Sequence, residues 1–209
     1  ARLNSTRFPS KVIFPLKGKP IIEHVYEKAL QSNLLNKVIV AVDSEETKNV
    51  INCQNIIMTS DKHQSGTDRV AEVANNFNCD IVVNIQGDEP GIDPLLIDKL
   101  IQLFEDPDVE MASIASTDLK EDDLNNDNVV KVNLDKENNA ISFIRNNLNP
   151  ESTYYRHIGI YAYRKNTLNL FTSLTQSDNE KNHRLEQLRA LDNNIAIKLL
   201  ISDFSHRSI

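Results

Sequence analysis

Several residue types that mark particular classes of protein are scarce in this sequence. Its 209 residues include no tryptophan, five glycines and two cysteines. Cys53 and Cys79 have neither the spacing of a metal site nor the number that a disulfide framework needs, so we expect buried thiols in a reducing, cytoplasmic compartment. No apolar run approaches the roughly 20 residues of a membrane-spanning helix. These absences predict a globular protein without a disulfide framework or a membrane span.

Basic residues are outnumbered by acidic ones. The chain has 23 lysines and arginines against 30 aspartates and glutamates, a formal net charge of −7. This balance argues against a general nucleic-acid binder, so any phosphate binding requires a local cluster of cations. The first 19 residues contain such a cluster, made of Arg2, Arg7, Lys11, Lys17 and Lys19.

Strand and helix patterns alternate through the first half of the chain. Apolar spacing predicts helices from Pro20 onwards and over residues 46–51, 70–77 and 94–104, with Thr67 or Asp68 as the cap of the third. Buried strands are predicted over residues 37–42, 55–60 and 80–86. This alternation implies a parallel sheet covered by helices on both faces.

The second half is richer in strands. Strands are predicted over residues 111–116, 129–135, 140–145, 157–164 and 195–201, and residues 129–145 are expected to form a hairpin. Two helices are predicted over residues 166–173 and 179–192. The acidic, asparagine-rich residues 118–127 are typical of a solvated loop.

Two stretches suit the binding of phosphate groups. "ARLNSTRFPSK" (residues 1–11) interleaves basic and small polar residues, as in a loop that wraps a polyphosphate, although a solvated basic loop has the same composition. In "HQSGTDR" (residues 63–69), Ser65 and Gly66 precede a helix whose N-terminus favours anions. The simpler interpretation of this second stretch is a helix cap.

The stretch "VVNIQGDEPGI" (residues 82–92) breaks a buried strand abruptly. Gly87 permits unusual backbone angles and Pro90 donates no backbone hydrogen bond, so the strand stops and presents Asp88 and Glu89 at its carboxyl end. Ligands bind at this edge of open α/β sheets. A carboxylate here is a candidate ligand for a metal ion.

A second group of polar residues lies later in the chain. In "YRHIGIYAYR" (residues 155–164), His157, Gly159 and Tyr161 share one face of a strand, which suits the wall of a cleft better than a core. In "LEQLRAL" (residues 185–191), Glu186 and Gln187 lie beside an apolar stripe of leucines. A solvated helix surface is the commoner explanation for such a pair.

Together these stretches resemble the 3-deoxy-manno-octulosonate cytidylyltransferase (CMP-Kdo synthetase) family. Its members carry similar motifs in the same order: "ARLNSTRFPSK", "GKPII", "HQSGTDRVAEVA", "NIQGDEP", "VVKV", "YRHIGIYAYR" and "LEQLRAL". The resemblance runs from Ala1 to about Leu191. Enzymes that activate sialic acids share a similar first loop but lack "HQSGTDR" and "RHIGIYAYR" in this form.

The resemblance implies a fold and a reaction. The expected fold is α/β, a Rossmann-like nucleotide-diphospho-sugar transferase with a mostly parallel central sheet flanked by helices. We expect one domain over residues 1–209, with a strand-rich part over about 111–165 that binds the sugar and forms a homodimer. The implied reaction joins CTP and Kdo to give CMP-Kdo and pyrophosphate with Mg²⁺, in the cytoplasm, for lipopolysaccharide biosynthesis.

The resemblance also assigns residues to roles. Those implied to hold the triphosphate are Arg2, Ser5, Arg7 and Lys11, and those implied to complete the nucleotide pocket are Ser65, Gly66 and Arg69. The sugar acid would be bound by Gln86, Arg145, His157, Tyr161, Glu186 and Gln187. Asp88 would bind Mg²⁺, and Arg2, Lys11 and Asp88 would be catalytic. No general base is assigned, because bound Mg²⁺ can acidify the attacking hydroxyl.

Three departures from the family pattern keep alternatives open. Members have Pro-Gly-Lys-Pro where this chain has Pro9, Ser10, Lys11 and Val12. Residues 145–157 form a shortened segment, which keeps open another 2-keto sugar acid, such as 8-amino-Kdo or a sialic acid, as the substrate. The family's first strand and its second metal-binding aspartate are missing, so we expect truncated ends, and an inactive remnant is a further hypothesis.

Overall fold

The computed structural model describes residues 10–204, and the predicted ligand residues Arg2, Ser5 and Arg7 lie outside this range. Within it the chain forms two compact units. The first unit comprises residues 10–80 and 84–99, and the second comprises residues 81–83 and 100–204.

The first unit opens with a 3₁₀ turn and a short hairpin. The 3₁₀ turn covers Lys11–Ile13, and strands β1 (Pro15–Leu16) and β2 (Lys19–Pro20) pair antiparallel. Lys17 and Gly18 join them with φ angles of 49° and 85°. Positive φ at both central residues defines the type I′ turn, whose twist matches that of the strands on either side. The hairpin leads directly into helix α1 (Ile21–Ala29).

A parallel strand pair forms the centre of this unit. Strand β3 (Val40–Val42) and strand β4 (Ile56–Met58) are connected through helix α2 (Glu45–Val50), which the Ser44 side chain caps. Both strands are shorter than predicted, but their order and the helix between them are confirmed. The surrounding core consists of Val12, Ile22, Tyr26, Val40, Val42 and Ile51.

Helix α3 (Gly66–Asn75) starts earlier than the sequence predicted. The expected caps, Thr67 and Asp68, were wrong, because Ser65 is the N-cap. The Ser65 hydroxyl accepts from Asp68 N at 3.1 Å, and Ser65 N donates to Asp68 Oδ2 at 3.0 Å. This reciprocal capping box satisfies two amides that the first turn would otherwise leave unpaired.

Strand β5 (Ile81–Asn84) follows, and helix α4 (Pro94–Gln102) continues into a 3₁₀ turn over Leu103–Glu105. Asp98, on α4, accepts hydrogen bonds from Asn33 N and Leu34 N, both at 3.1 Å, and from the Ser32 hydroxyl. The Asp98 carboxylate therefore fixes the chain that leaves α1.

A six-stranded sheet forms the second unit. Its later strands are β6 (Met111–Ser116), β7 (Lys131–Leu134), β8 (Ala140–Ile144), β9 (Tyr155–Arg164) and β10 (Ile197–Ser202). The strand order is β10-β6-β9-β7-β8, and β5 also pairs with β9. Strands β10 and β6 are parallel, whereas β9 runs antiparallel to β6 and β7. The predicted hairpin over residues 129–145 is confirmed as the β7–β8 pair.

The turn of that hairpin reaches strand β10. The Asp135 carboxylate accepts from Glu137 N at 3.0 Å and from Asn139 N at 2.7 Å, which closes the turn on itself. Leu199 N then donates to Asn138 O at 2.8 Å, and Asn139 forms a bridge with Lys198. The turn is therefore bonded to the edge of β10 that faces away from β6.

Two predictions for the second unit need correction. Residues 118–127 are solvated as predicted, but they contain a short helix, α5 (Glu121–Leu124), which Arg156 on β9 holds through an ion pair to Asp123 at 2.8 Å. After helix α6 (Lys165–Ser173), the single helix predicted over residues 179–192 is two, α7 (Asp178–His183) and α8 (Leu188–Asp192). Arg184 breaks it by adopting a left-handed conformation, φ 54°.

The predicted fold class is confirmed as mixed α/β with helices flanking the sheet strands. Among residues 10–204, none of the helices has the combination of length and apolar character needed to cross a bilayer.

Asp98 should contribute stability that depends on pH. Burial alone raises its pKa, but the hydrogen bonds from Ser32, Asn33 and Leu34 outweigh burial and hold the pKa below its usual value. Asp98→Asn should lower the free energy of unfolding by roughly 1–2 kcal/mol at pH 7, because an amide nitrogen would face backbone donors. The loss should shrink below about pH 4, where an unfolded aspartate becomes protonated.

Denaturant unfolding at pH 7 and at pH 3 measures this difference, with Asp61→Asn as an exposed control. A depressed folded pKa stabilises only above the unfolded pKa and loses its effect as the pH falls through the folded value. An Asp98→Asn deficit that stays constant over this range would refute the assignment.

Candidate active site

Lys11 and Asp88 form an ion pair in the first unit. Lys11 Nζ lies 2.8 Å from Asp88 Oδ2, and the two side chains are 20% and 31% exposed. Asp88 lies in the turn after β5, where Glu89 N donates to Gln86 O at 3.3 Å, so its predicted position at a strand end is confirmed. Gln86 is exposed in the same turn.

Ser10, directly before Lys11, has an unusual backbone conformation. Its φ of 62° is left-handed, a conformation that costs a residue with a Cβ about 1 kcal/mol or more. Glycine adopts this conformation most easily, so Ser10 keeps a backbone geometry that its own side chain disfavours.

The Lys11–Asp88 pair can be exchanged for contacts to a ligand. A partly exposed ion pair contributes only about 0–1 kcal/mol, so opening it is inexpensive. Lys11 offers a point charge for phosphate oxygens, and Asp88 offers a hard oxygen ligand for a divalent cation. The two side chains predicted to bind a metal–triphosphate complex are thus in contact.

The N-terminus of helix α3 has an open approach. The Ser65 hydroxyl and amide both serve the helix cap, as the simpler interpretation predicted. Gly66 is exposed, and a Cβ at this residue would meet no heavy atom within 4 Å. Among the glycines of residues 10–204, positive φ occurs at Gly18 and not at Gly66. Neither the backbone angle nor the packing at residue 66 therefore requires glycine. The space above Gly66 suits a ligand that approaches the backbone closely.

Arg69 lies beneath this helix end rather than at the surface. It is 1% exposed, and its guanidinium donates to the Thr59 hydroxyl and to Ser60 O at 3.1 Å. A further bond at 3.3 Å reaches Asp43, which directly follows β3. Arg69 therefore holds the ends of β3 and β4 against α3.

Asp43 was not assigned a role from the sequence. It stands at the carboxyl end of a buried parallel strand, which is the same signal that identified Asp88. The signal was visible in "VIVAVDS", but no motif separated it from an ordinary strand end.

His157 and Tyr161 project from the same face of β9, as predicted. Their ring centroids are 5.5 Å apart, and Phe143 on β8 meets the His157 ring edge-on at 4.9 Å. Tyr163 continues the row at 6.1 Å from Tyr161. The opposite face carries Ile158 and Ile160, which are 2% and 1% exposed in the core.

The side chains of His157 and Tyr161 are both kept in their uncharged forms. Burial, and secondarily the charge of Arg145, lowers the pKa of His157 to about 3. Burial, and secondarily the charge of Glu186, raises the pKa of Tyr161 well above its usual value. Four residues predicted to bind the sugar acid are thus electrostatically linked: Arg145 acts on His157, Glu186 acts on Tyr161, and the two rings are in contact.

The backbone of Arg145 is anchored by a lysine that sequence reasoning left without a role. Lys131 is fully buried, and its Nζ donates to Asn126 O at 3.0 Å and to Arg145 O. Burial lowers the pKa of Lys131. Arg145 Nη1 in turn donates to Asp127 O at 2.8 Å. The "VVKV" motif is the only signal that could have pointed to this residue.

Glu186 and Gln187 lie in the turn between α7 and α8, not on a helix as predicted. Gln187 is 6% exposed, and Glu186 lies 3.8 Å from the Arg189 guanidinium. Arg189 forms two bonds to Glu180, at 2.8 Å and 2.6 Å, and stacks 4.8 Å from the Phe171 ring. The buried arginine therefore fixes the shape of the turn.

Comparison with known families assigns the chain to one of them. The family model described as "Cytidylyltransferase" matches residues 1–198. The chain is therefore a cytidylyltransferase, a nucleotidyltransferase with an α/β fold. A cytidylyltransferase from Leptospira borgpetersenii, 16% identical with a TM-score of 0.63 over 97% of this chain and 73% of its own, shares the fold.

Nearer relatives define the family more narrowly. The 3-deoxy-manno-octulosonate cytidylyltransferase of Thermodesulfovibrio yellowstonii is 40% identical to this chain, and the match covers 98% of this chain and 88% of the relative. That of Chloroherpeton thalassium is 39% identical, over 100% of this chain and 89% of the relative. A CMP:2-keto-3-deoxy-manno-octonic acid synthetase solved with CTP is 34% identical, with a TM-score of 0.93 over 100% of this chain and 90% of its own. The chain belongs to the 3-deoxy-manno-octulosonate cytidylyltransferase family.

Proposed function

We propose that this protein transfers a cytidylyl group from CTP to Kdo, giving CMP-Kdo and pyrophosphate for lipopolysaccharide biosynthesis. The observation that carries the proposal is the match, along the whole chain, to a synthetase solved with CTP. The two groups of site residues supply chemistry for both substrates. Nucleotide contacts belong to the first unit, and most sugar contacts belong to the second.

The nucleotide is bound mainly by charge. Arg2, Ser5, Arg7 and Lys11 hold the triphosphate, while Ser65 and Gly66 border the nucleotide and Arg69 supports them. The anomeric hydroxyl oxygen of Kdo attacks the α-phosphorus, the bond to the bridging oxygen breaks, and pyrophosphate leaves. Such a reaction requires alignment and neutralisation of charge more than a covalent role for the protein.

Asp88 fits the role of a Mg²⁺ ligand. Between residues 10 and 204 there is no group of three or more side chains that could hold a metal ion. This part of the chain therefore does not form a metal site built from protein ligands alone. Mg²⁺ commonly binds through one or two carboxylates together with substrate phosphates and water, and Asp88 offers such a carboxylate. When bound, the ion neutralises phosphate charge and makes a nearby hydroxyl more acidic.

The exchange of the Lys11–Asp88 pair is the central step of nucleotide binding in this proposal. Lys11 would exchange Asp88 for a phosphate oxygen of CTP, and the released Asp88 carboxylate would then hold the Mg²⁺ ion, which would supply charge neutralisation at the phosphates. Both charges are compensated before and after the exchange. The exchange therefore leaves neither charge without a partner of opposite sign.

The sugar acid is bound by mixed chemistry in the second unit. Arg145 pairs with the carboxylate, for which a guanidinium is well suited. His157 and Tyr161 are neutral and suit hydroxyl groups, and Glu186, Gln187 and Gln86 provide further acceptors and donors. A homodimer formed through the strand-rich part, and a cytoplasmic location, belong to the same proposal by analogy with the family.

Substrate choice tests the proposed reaction. Pyrophosphate release should require CTP, Kdo and Mg²⁺ together, and ATP or GTP should support little release. Kdo should be used more efficiently than 8-amino-Kdo or a sialic acid. Comparing kcat/KM for the three acids decides the substrate. Equal rates with ATP, or a preference for another acid, would overturn the assignment.

Asp88→Asn should nearly abolish activity and raise the Mg²⁺ concentration needed for the remainder. The change keeps the side-chain shape but removes the charge, and we expect a loss of about 100-fold or more. Stability should change by less than about 1 kcal/mol, since the ion pair is partly exposed. Mg²⁺ titration of the rate, with thermal unfolding in parallel, measures both effects.

Asp80→Asn is the matched control, because Asp80 is an exposed aspartate just before the opposite end of β5. It should leave the Mg²⁺ requirement unchanged. Wild-type metal dependence in Asp88→Asn would remove Asp88 from the site.

Gly66→Ala should weaken CTP binding without weakening the fold. Alanine is favoured over glycine in a helix, and its methyl group has open space, so stability should be equal or higher. A bound nucleotide would meet the methyl group, and the KM for CTP should rise about 5-fold or more. Gly91→Ala, also with open space around the added Cβ, should leave that KM unchanged. Equal CTP KM values in both variants would show that no ligand approaches Gly66.

A further inference from the structure

Ser113 lies opposite an irregularity in the pairing of β6 and β9. Ala112 pairs with Ala162, but Ile114 pairs with Ile158, so three residues of β9 face the single residue Ser113. The ladder cannot supply a regular amide partner to every carbonyl in such a stretch. Ser113 is fully buried at this point, and its hydroxyl is available in place of backbone donors.

The Ser113 hydroxyl has three close neighbours. Its Oγ lies 2.9 Å from Ile160 O, 3.2 Å from Ile158 O and 2.9 Å from His157 Nε2. A hydroxyl has one proton, and carbonyl oxygens can only accept. If that proton went to His157, the Ser113 oxygen would face two carbonyl oxygens without a proton between them. The proton is therefore directed to a carbonyl, and Ser113 must accept from His157.

This accounting determines which ring nitrogen of His157 carries a proton. Nε2 must donate to Ser113, so Nε2 is protonated. The ring is uncharged, because burial and the neighbouring Arg145 disfavour the imidazolium, and a neutral ring has only one N–H. Nδ1 is then the acceptor. The edge contact with Phe143 and the contact with Tyr161 restrict rotation of the ring.

We propose that Ser113 is a positioning residue that holds His157 as the Nε2-protonated tautomer, so that Nδ1 accepts a hydrogen bond from a hydroxyl group of the sugar acid. The inference deepens the proposed function and relies on it for the identity of the ligand. It makes His157 a neutral acceptor that discriminates in favour of polyols, rather than a proton carrier. The tautomer itself is a property of the protein alone.

The tautomer can be measured without any substrate. A long-range proton–nitrogen correlation spectrum of the ¹⁵N-labelled chain distinguishes protonated from unprotonated ring nitrogens, and a His157→Asn spectrum assigns the His157 signals among the five histidines. We expect Nε2 protonated and Nδ1 unprotonated, unchanged between about pH 6 and 8, the range in which an ordinary histidine titrates. The charged group that acts on the His157 ring is Arg145, and Tyr161, in contact with the ring, has a pKa raised well above its usual value. Glu186 in turn acts on Tyr161.

Ser113→Ala should release the ring. Nε2 loses its acceptor, so the spectrum should show a mixture of tautomers or a titrating ring. The KM for Kdo should rise about 5-fold, as expected for one hydrogen bond to a neutral group, while the KM for CTP stays unchanged. Ser113→Cys keeps the approximate size and provides a second variant in case the alanine variant misfolds.

Ser116→Ala is the matched control. Ser116 is a fully buried serine on the same strand, and its hydroxyl donates to Phe204 O at 2.7 Å. The control variant loses a comparable buried bond without touching His157, so it should lower stability but leave the spectrum and the KM for Kdo unchanged. A merely structural role for Ser113 predicts the same behaviour in both variants.

The two measurements separate this inference from the proposed function. A wild-type spectrum with Nδ1 protonated, or a Ser113→Ala spectrum identical to wild type, overturns the inference whatever the substrate is. The expected spectra without any turnover of Kdo would overturn the proposed reaction but leave the tautomer established. A KM for Kdo that is unchanged in Ser113→Ala would remove the positioning role.

Discussion

Three buried cations hold the loops on which the rest of the structure depends. A charge removed from water must be compensated within the protein, and removing one of its partners is costly. Arg69 meets this requirement with groups from the ends of two strands, Lys131 with two loop carbonyls and Arg189 with a carboxylate. Because each cation has several partners on different segments, each also fixes the relative positions of those segments. The segments that carry several of the candidate site residues are therefore held in place by buried cations.

The groups expected to touch substrates differ from these buried cations. Lys11 and Asp88 are partly exposed and paired with each other, so each can change its partner at small cost. His157 and Tyr161 carry no charge and contact neighbouring rings. The candidate ligand groups of the first unit are therefore charges that can change partners, which suits a triphosphate. Those of the second unit are neutral rings held by their neighbours, which suits the hydroxyl groups of a sugar.

Much of this arrangement could be predicted from the sequence. The break at Gly87 placed Asp88 at a strand end, and alternation along residues 157–161 placed His157 and Tyr161 on one face. Both predictions rest on local geometry that the residue types determine directly. Motifs shared with a family added the roles, which periodicity alone could not supply.

The misses have a common physical origin. The cap of α3 went to Ser65 because a serine can accept from the third amide of the helix while Asp68 returns the bond. The break at Arg184 depends on the left-handed conformation of a residue that has no preference for it. The role of Ser113 depends on an offset between two strands. Each outcome is decided by partners that are distant in sequence or by a balance between nearly equal alternatives, and pattern alone does not encode either.

The bond between the β7–β8 turn and β10 has a consequence outside catalysis. An uncovered strand edge is a template on which another chain can add a strand, and proteins avoid this by covering the edge. Here Leu199 N donates to Asn138 O of the same chain, so this donor on the edge of β10 is already occupied. The tight turn closed by Asp135 thus covers part of the β10 edge and makes it less available for pairing with another chain.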